Sequence, residues 1–186
     1  MKESTEQHTD AELVAQALID KNAYAIIIDR YQEKLARYVR RLGCTQYDDV
    51  QDIVQTVFIK TYYNLNEYDA KFPLSSWIYR ITHNETISFF RKNKKKPVSF
   101  DDIDESTIEA FSDTEDRAEI FDTNASADRI REAMRTLDMK YREVLVLRYI
   151  EGKTYEEISD ILQKPVGTIS VLISRAKKQI RKIITT

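Results

Sequence analysis

The sequence predicts an all-α fold: two small helical domains joined by a flexible acidic linker, the second a helix-turn-helix domain. Three observations carry that expectation. Apolar residues recur at helical spacing through both halves of the chain. Gly and Pro number three each among 186 residues, too few for the many tight turns of a β-sandwich or barrel. Charge is also segregated. Residues 99–128 hold eleven acids and one base, net −10, against +2 for residues 1–98 and +6 for residues 129–186. The total of −2 is therefore an average over segments of different character, an asymmetry that suggests a nucleic-acid partner.

The elements follow in order. Residues 1–9 are polar and acidic and read as a disordered tail. Thr9 and Glu12 fit a capping box ahead of Leu13, Val14, Ala17 and Leu18. Asn22 is placed to cap a second helix running through Tyr31, Leu35, Tyr38, Val39 and Leu42, with Gly43 at the position of a left-handed C-cap. A third helix starts near Asp48 and Asp49 and carries Val50, Ile53, Val54, Val57, Phe58 and Tyr62. Asn64 to Ser76 forms a loop containing Pro73. A fourth helix starts near Ser75 and Ser76 and carries Trp77, Ile78, Ile81, Ile87, Phe89 and Phe90, before a run of bases and Pro97 ends it. Residues 97–126 have weak periodicity, with room for short helical turns, and cannot bury a core alone, so they read as the linker between domains 10–96 and 127–186. In the second domain, Ile130, Met134 and Leu137 mark one helix and Val144 to Ile150 another, closed by Gly152. Thr154 and Glu157 form a second capping box, for a short helix with Ile158, Ile161 and Leu162. After a break at Gln163–Val166, Ile169, Leu172, Ile173, Ala176 and Ile180 define the last helix.

Several function classes are set aside by composition. One cysteine, Cys44, excludes a disulfide framework, and with two histidines it leaves little for a zinc site. Cys44 is expected to pack as a small apolar residue, and His83 to be a hydrogen-bonding surface residue. There is no phosphate-binding glycine loop and no dinucleotide fingerprint. An enzyme, a cofactor and a small-molecule substrate are not expected. No long uncharged apolar run occurs and the start is unlike a secretory signal, so the expected compartment is the cytoplasm.

The strongest local pattern spans Thr154 to Lys182: a short capped helix, a tight turn, then a helix ending in bases. That is the helix-turn-helix pattern, whose second helix enters the major groove. After Asp160 there are no acids, while Lys164, Arg175, Lys177, Lys178, Arg181 and Lys182 are basic, as phosphate contacts require. Thr168, Ser170, Val171 and Ser174 lie where base edges would be read, with Arg175 behind. A helical hairpin with a solvated basic face has the same pattern. Bases at Arg91–Lys96 beside Trp77, Phe89 and Phe90 suit single-stranded nucleic acid by charge and stacking, although these aromatics, Trp77 above all, equally suit a core.

Two helical units, an acidic linker and a terminal helix-turn-helix resemble the extracytoplasmic-function class of bacterial sigma factors. DVQDIVQTVF (49–58) is similar to the family's core-polymerase-binding motif, FPLSSWIYRITHNETISFFRK (72–92) to the segment that opens and reads the −10 element, and residues 137–180 to the −35-reading domain. The resemblance implies that Asp49, Asp52, Gln55 and Phe58 dock on the clamp helices of the largest polymerase subunit. It implies that the loop Tyr68–Ser76, with Lys71, Phe72, Ser75 and Ser76, captures a flipped −10 base, backed by Arg80, Asn84 and Arg91. It places −35 contacts at Lys164, Thr168, Ser170, Val171, Ser174, Arg175 and Lys178, and the surface around Val144–Ile150 near the flap of the second-largest subunit. Expected partners are core RNA polymerase, promoter DNA and an anti-sigma factor, in some relatives membrane-anchored. Val171 and Leu172 stand where many relatives carry Ser and Arg, which shifts the expected reading to Ser170, Ser174, Arg175 and DNA shape. The competing functions are a helix-turn-helix regulator that never docks on polymerase and a helical interaction module. A simple regulator has no need for an acidic docking helix followed by an aromatic and basic helix, and an interaction module predicts no salt-sensitive DNA binding.

Overall fold

A computed structural model describes residues 9–93 and 127–185, and every regular element among them is helical. The first unit contains α1 (Asp10–Ile19), α2 (Tyr24–Arg41), α3 (Tyr47–Tyr63) and α4 (Leu74–Lys92). The second contains α5 (Ala127–Thr136), α6 (Met139–Leu145), α7 (Tyr155–Leu162) and α8 (Val166–Thr185). The expected tail and linker, the bases from Lys94 to Lys96, and Pro97 lie outside the described residues.

The first capping box forms as expected, with Thr9 Oγ1 accepting from the Glu12 N–H and Glu12 accepting from the Thr9 N–H. Asn22 does not cap α2. It lies in a 3-10 turn, Lys21–Ala23, and the Asp20 carboxylate accepts from both its backbone and side-chain N–H. An acceptor two residues upstream makes a local turn instead of a helix cap. Gly43 has φ 106°, the left-handed conformation expected after α2. Asp10 ties α1 to α2 by accepting from Arg30 Nη1 at 2.7 Å and Tyr31 Oη at 2.6 Å. Tyr24 Oη donates to the Phe58 carbonyl at 2.8 Å, fixing α2 against α3. Leu13, Ile27, Leu35, Val39, Val57, Leu74 and Ile78 fill the centre of this bundle. Cys44 is buried as expected.

In the second unit, Ala133, Met134, Val144, Leu145, Ile158, Ile161, Ile169, Ile173 and Ala176 form the core. Arg142 is buried, and its guanidinium donates to the carbonyls of Met134, Arg135 and Leu137 at the end of α5. It satisfies acceptors that a helix end leaves orphaned, where the dipole favours a cation. Asp138 precedes α6 without a side-chain cap bond. From Val146 to Ile150 the backbone widens into a π-helical turn, closed by the Glu151 N–H donating to the Val146 carbonyl. Gly152 (φ 65°) then reverses the chain so that the Lys153 N–H reaches the Leu147 carbonyl. The Thr154–Glu157 capping box starts α7, and Gln163, a left-handed residue at φ 53°, ends it.

Replacing Thr154 with Ala removes the acceptor for the Glu157 N–H and should cost about 1 kcal/mol in urea unfolding, with Thr154→Ser close to wild type.

Candidate nucleic-acid interface

The loop between α3 and α4 builds a small cavity. Its floor is a pair of tilted aromatic rings, Tyr68 and Trp77, with centroids 5.7 Å apart. Trp77 is itself buried, as the core reading of this residue required. Glu67, Asp69, Phe72, Arg80 and Asp160 complete a space of about 140 Å³. Tyr68 Oη donates to the Phe72 carbonyl at 2.7 Å and the Lys71 N–H to Asp69, so the loop is held by its own bonds. Aromatic faces with a polar rim suit an unstacked base. Lys71 and Phe72 are exposed in this loop; Asn84 and Arg91 are exposed further along α4, outside the cavity's lining.

One side of α3 presents a continuous exposed stripe: Asp48, Asp52, Gln55, Ile59 and Tyr63, each three to four residues from the next. Asp49 lies at its margin, half-buried. Phe58, expected on the docking helix, is a core residue with 7% exposure, about a quarter-turn round α3 from this stripe. Ile59 (51% exposed) and Tyr63 (76%) are the apolar side chains that this stripe presents to solvent. The sequence signals that placement: both lie on the Asp52–Gln55 side of the helix, away from the Val50–Val57 side. In the segment Val144–Ile150, Val144, Leu145, Val146, Leu147 and Tyr149 are buried, while Arg148 and Ile150 are half-buried.

On α8, Thr168, Ser170, Val171, Ser174, Arg175 and Lys178 are all exposed, opposite a buried edge of Ile169, Ile173, Ala176 and Ile180. Lys164 is drawn inward, and its ammonium donates to Glu143 Oε1 at 2.9 Å.

The two units meet along α4 and α7 in a polar seam. Glu151 accepts from Arg41 Nη1 at 2.6 Å and from Tyr79 Oη at 2.5 Å. Lys153 Nζ donates to Ser75 Oγ at 2.7 Å and Glu157 Oε1 at 3.1 Å, while Ser76 Oγ donates to the same Glu157 oxygen. Arg80 pairs with Asp160 at 2.8 Å. His83 is not on the surface: it is buried with Nε2 3.0 Å from Glu143 Oε2. Ser75, Ser76 and Arg80, three residues expected to face −10 DNA, are thus occupied by the second unit. Burial alone would push the Glu143 carboxyl up, but His83 and Lys164 reverse this and hold it below the usual carboxylate range. Glu157 is likewise held low against burial by the Thr154 N–H, Lys153 and Ser76. Their contribution to folding and docking is complete above the ordinary carboxylate range and is lost as pH falls through the lowered values.

The sequence comparisons fall on these same units. Residues 27–96 match the family model "Sigma-70 region 2", and residues 127–180 match "Sigma-70, region 4". The ECF RNA polymerase sigma factor SigW of Bacillus subtilis is 34% identical over 171 residues, covering 88% of this chain and 89% of SigW. The chain belongs to the ECF RNA polymerase sigma factors. The ECF sigma-E factor of Escherichia coli K12 is also similar, 32% identical over 95% of this chain and 94% of its own length. Among solved structures, CnrH in complex with the cytosolic domain of CnrY superposes with a TM-score of 0.66 at 23% identity, over 95% of this chain and 97% of that one. The Bartonella quintana sigma factor RpoE, in complex with the anti-sigma factor NepR, gives 0.58 at 20% identity, over 86% and 98%. Both share the two-unit helical fold. In this sigma factor the cavity and the α3 stripe lie in region 2, α8 lies in region 4, and the seam joins the two regions. Among the described residues no helix is long and apolar enough to cross a membrane. Its function is that of its class: with core RNA polymerase it initiates transcription at specific promoters.

Glu151→Gln removes the charge that Arg41 meets across the seam, where a broken buried pair costs about 3–5 kcal/mol. The two regions should part instead of bearing that cost. Small-angle X-ray scattering should show a larger radius of gyration with helicity by circular dichroism unchanged.

Proposed function

We propose a residue-level division of labour for this sigma factor. Residues 10–96 dock on core polymerase and capture the −10 element. Residues 127–186 read the −35 element, and residues 97–126 connect them. The observation that carries this reading is the pairing of two surfaces of opposite character. In region 2 the α3 stripe presents Asp52 and Gln55 followed by Ile59 and Tyr63. In region 4, α8 exposes Arg175 and Lys178 beside neutral residues. The first suits a basic and apolar protein partner, the clamp helices of the largest polymerase subunit. The second suits a DNA duplex.

The cavity of Tyr68, Phe72 and Trp77 receives a flipped −10 base, with Lys71, Asn84 and Arg91 guiding the strand. Because Ser75, Ser76 and Arg80 are held by Lys153, Glu157 and Asp160, region 4 must leave region 2 before that loop is available. Arg80 then exchanges the Asp160 carboxylate for a phosphate. The factor has no catalytic step of its own and acts in the cytoplasm. CnrH and RpoE, which share this fold, form complexes with the cytosolic domain of CnrY and with the anti-sigma factor NepR. We infer that a comparable inhibitor binds this chain.

Transcription in vitro with purified core polymerase tests the whole reading. The chain should co-purify with core and give promoter-specific transcripts; neither occurring would refute it. Asp52→Lys should weaken core binding at least several-fold in a competition assay against wild type while leaving the fold intact. Arg175→Ala should weaken holoenzyme binding to the −35 element and lower the log Kd against log salt slope by about one, the signature of one lost phosphate contact.

A further inference from the structure

We propose that Val171 reads a thymine of the −35 element through the base's C5-methyl group. The inference rests on the assignment of α8 as the recognition helix and adds the chemistry of what that helix reads.

Val171 is 48% exposed in a helix whose buried edge is already complete without it. Ile169, Ile173, Ala176 and Ile180 are at most 1% exposed, and Leu172 packs partly against the same core. Successive helical residues are rotated by about 100°. On that wheel Thr168, Ser174, Arg175 and Lys178 all lie within about 60° of Val171, so the valine occupies the centre of the exposed face. Val166, the other exposed apolar residue at the start of α8, is rotated well away and lines the groove that contains Phe72 and Pro165.

On a recognition helix the exposed side chains of the N-terminal half meet base edges, and basic side chains further along the helix meet the phosphate backbone. The usual base readers are Arg, Asn, Gln and Lys, which make paired hydrogen bonds. None occurs between Val166 and Ser174. Valine has neither donor nor acceptor, so opposite a hydrogen-bonding edge it would leave polar groups dry and unpaired. The apolar feature of the major groove is the thymine methyl. Contact between that methyl and the Val171 isopropyl group removes both from water without stranding a polar atom. Thr168 and Ser174 flank the contact with hydroxyls, and Arg175 and Lys178 hold the phosphates that set its register.

Mapping transcript starts after overexpression gives the −35 element. Each of its thymines, on either strand, is then replaced singly by deoxyuridine, which lacks only the methyl. Holoenzyme containing the full chain is titrated against each duplex. At one position deoxyuridine should weaken binding about fourfold, the equivalent of one buried methylene. Holoenzyme with Val171→Ala should bind the natural duplex about fourfold more weakly and show no further loss on deoxyuridine at that position. If scrambling the −35 element weakens binding but no thymine shows the deoxyuridine effect, the proposal fails while the recognition-helix assignment stands. If the effect persists undiminished in Val171→Ala, the methyl is sensed elsewhere and the proposal fails. If scrambling the element changes nothing, the assignment of α8 fails and the proposal with it.

Discussion

Glu151 sits between Arg41 and Tyr79, and the arrangement of both regions follows from how that carboxylate is delivered. Arg41 and Glu151 side chains are only 10% and 8% exposed, a depth at which an uncompensated charge is not tolerated. Delivery depends on two backbone departures in a row. The π-turn of Val146–Ile150 inserts extra backbone at the end of α6, and Gly152 at positive φ reverses the chain directly after it. The capping box at Thr154 then starts α7 so that Glu157 and Asp160 follow Glu151 along one side. Three carboxylates reach α4 and the end of α2 because of that geometry.

A seam built this way is stable but separable. Taking one partner from a buried ion pair is costly, so such pairs part only where another charged group replaces the one lost. Tyr38 Oη and His83 Nδ1 lie buried near it without a hydrogen-bond partner among the described residues, and burial with the neighbouring Glu143 and Glu151 charges pushes the Tyr38 hydroxyl's pKa up. Seam contacts therefore hold the regions together without the completeness of a core. Two of the acids face groups that a nucleic acid would also engage: Asp160 meets Arg80, and Glu157 meets Ser76. Carboxylate and phosphate offer a guanidinium the same geometry. On the proposed −10 role of the α3–α4 loop, the closed arrangement covers that loop with carboxylates where promoter DNA would bring phosphates.

Local signals were legible in the sequence and long-range ones were not. Both capping boxes, the left-handed Gly43 and the core edges of α3 and α8 were readable because each involves residues within a few positions of one another. Asp20 displaced Asn22 as the local acceptor because a carboxylate two residues before a turn is also a strong acceptor. The burial of Phe58 was not legible because α3 buries a wide stripe, and a family motif does not say which edge of that stripe faces water. His83 and Glu143 are separated by 60 residues, and Arg41 and Glu151 by 110, so no periodicity could pair them. The π-turn has no sequence signature of its own. For the candidate site, the exposed face of α8 was readable in full. The occupation of Ser75, Ser76 and Arg80 was not, because it depends on the packing of two regions.

The exposed face of α8 also separates two energetic roles along one helix. From Val166 to Ser174 it carries no ionisable side chain, and from Arg175 onward it carries four bases, Arg175, Lys178, Arg181 and Lys182. Phosphate neutralisation by the second half releases counterions, so it supplies affinity that falls steeply with salt and is blind to sequence. A methyl contact in the first half releases no counterions. Its contribution to the ratio between a good and a poor promoter is therefore nearly the same at every salt concentration. Raising salt then thins out non-specific binding while leaving discrimination intact. That division lets a recognition helix select among promoters with few hydrogen bonds to bases, because what it lacks in direct contacts is not masked by indiscriminate affinity.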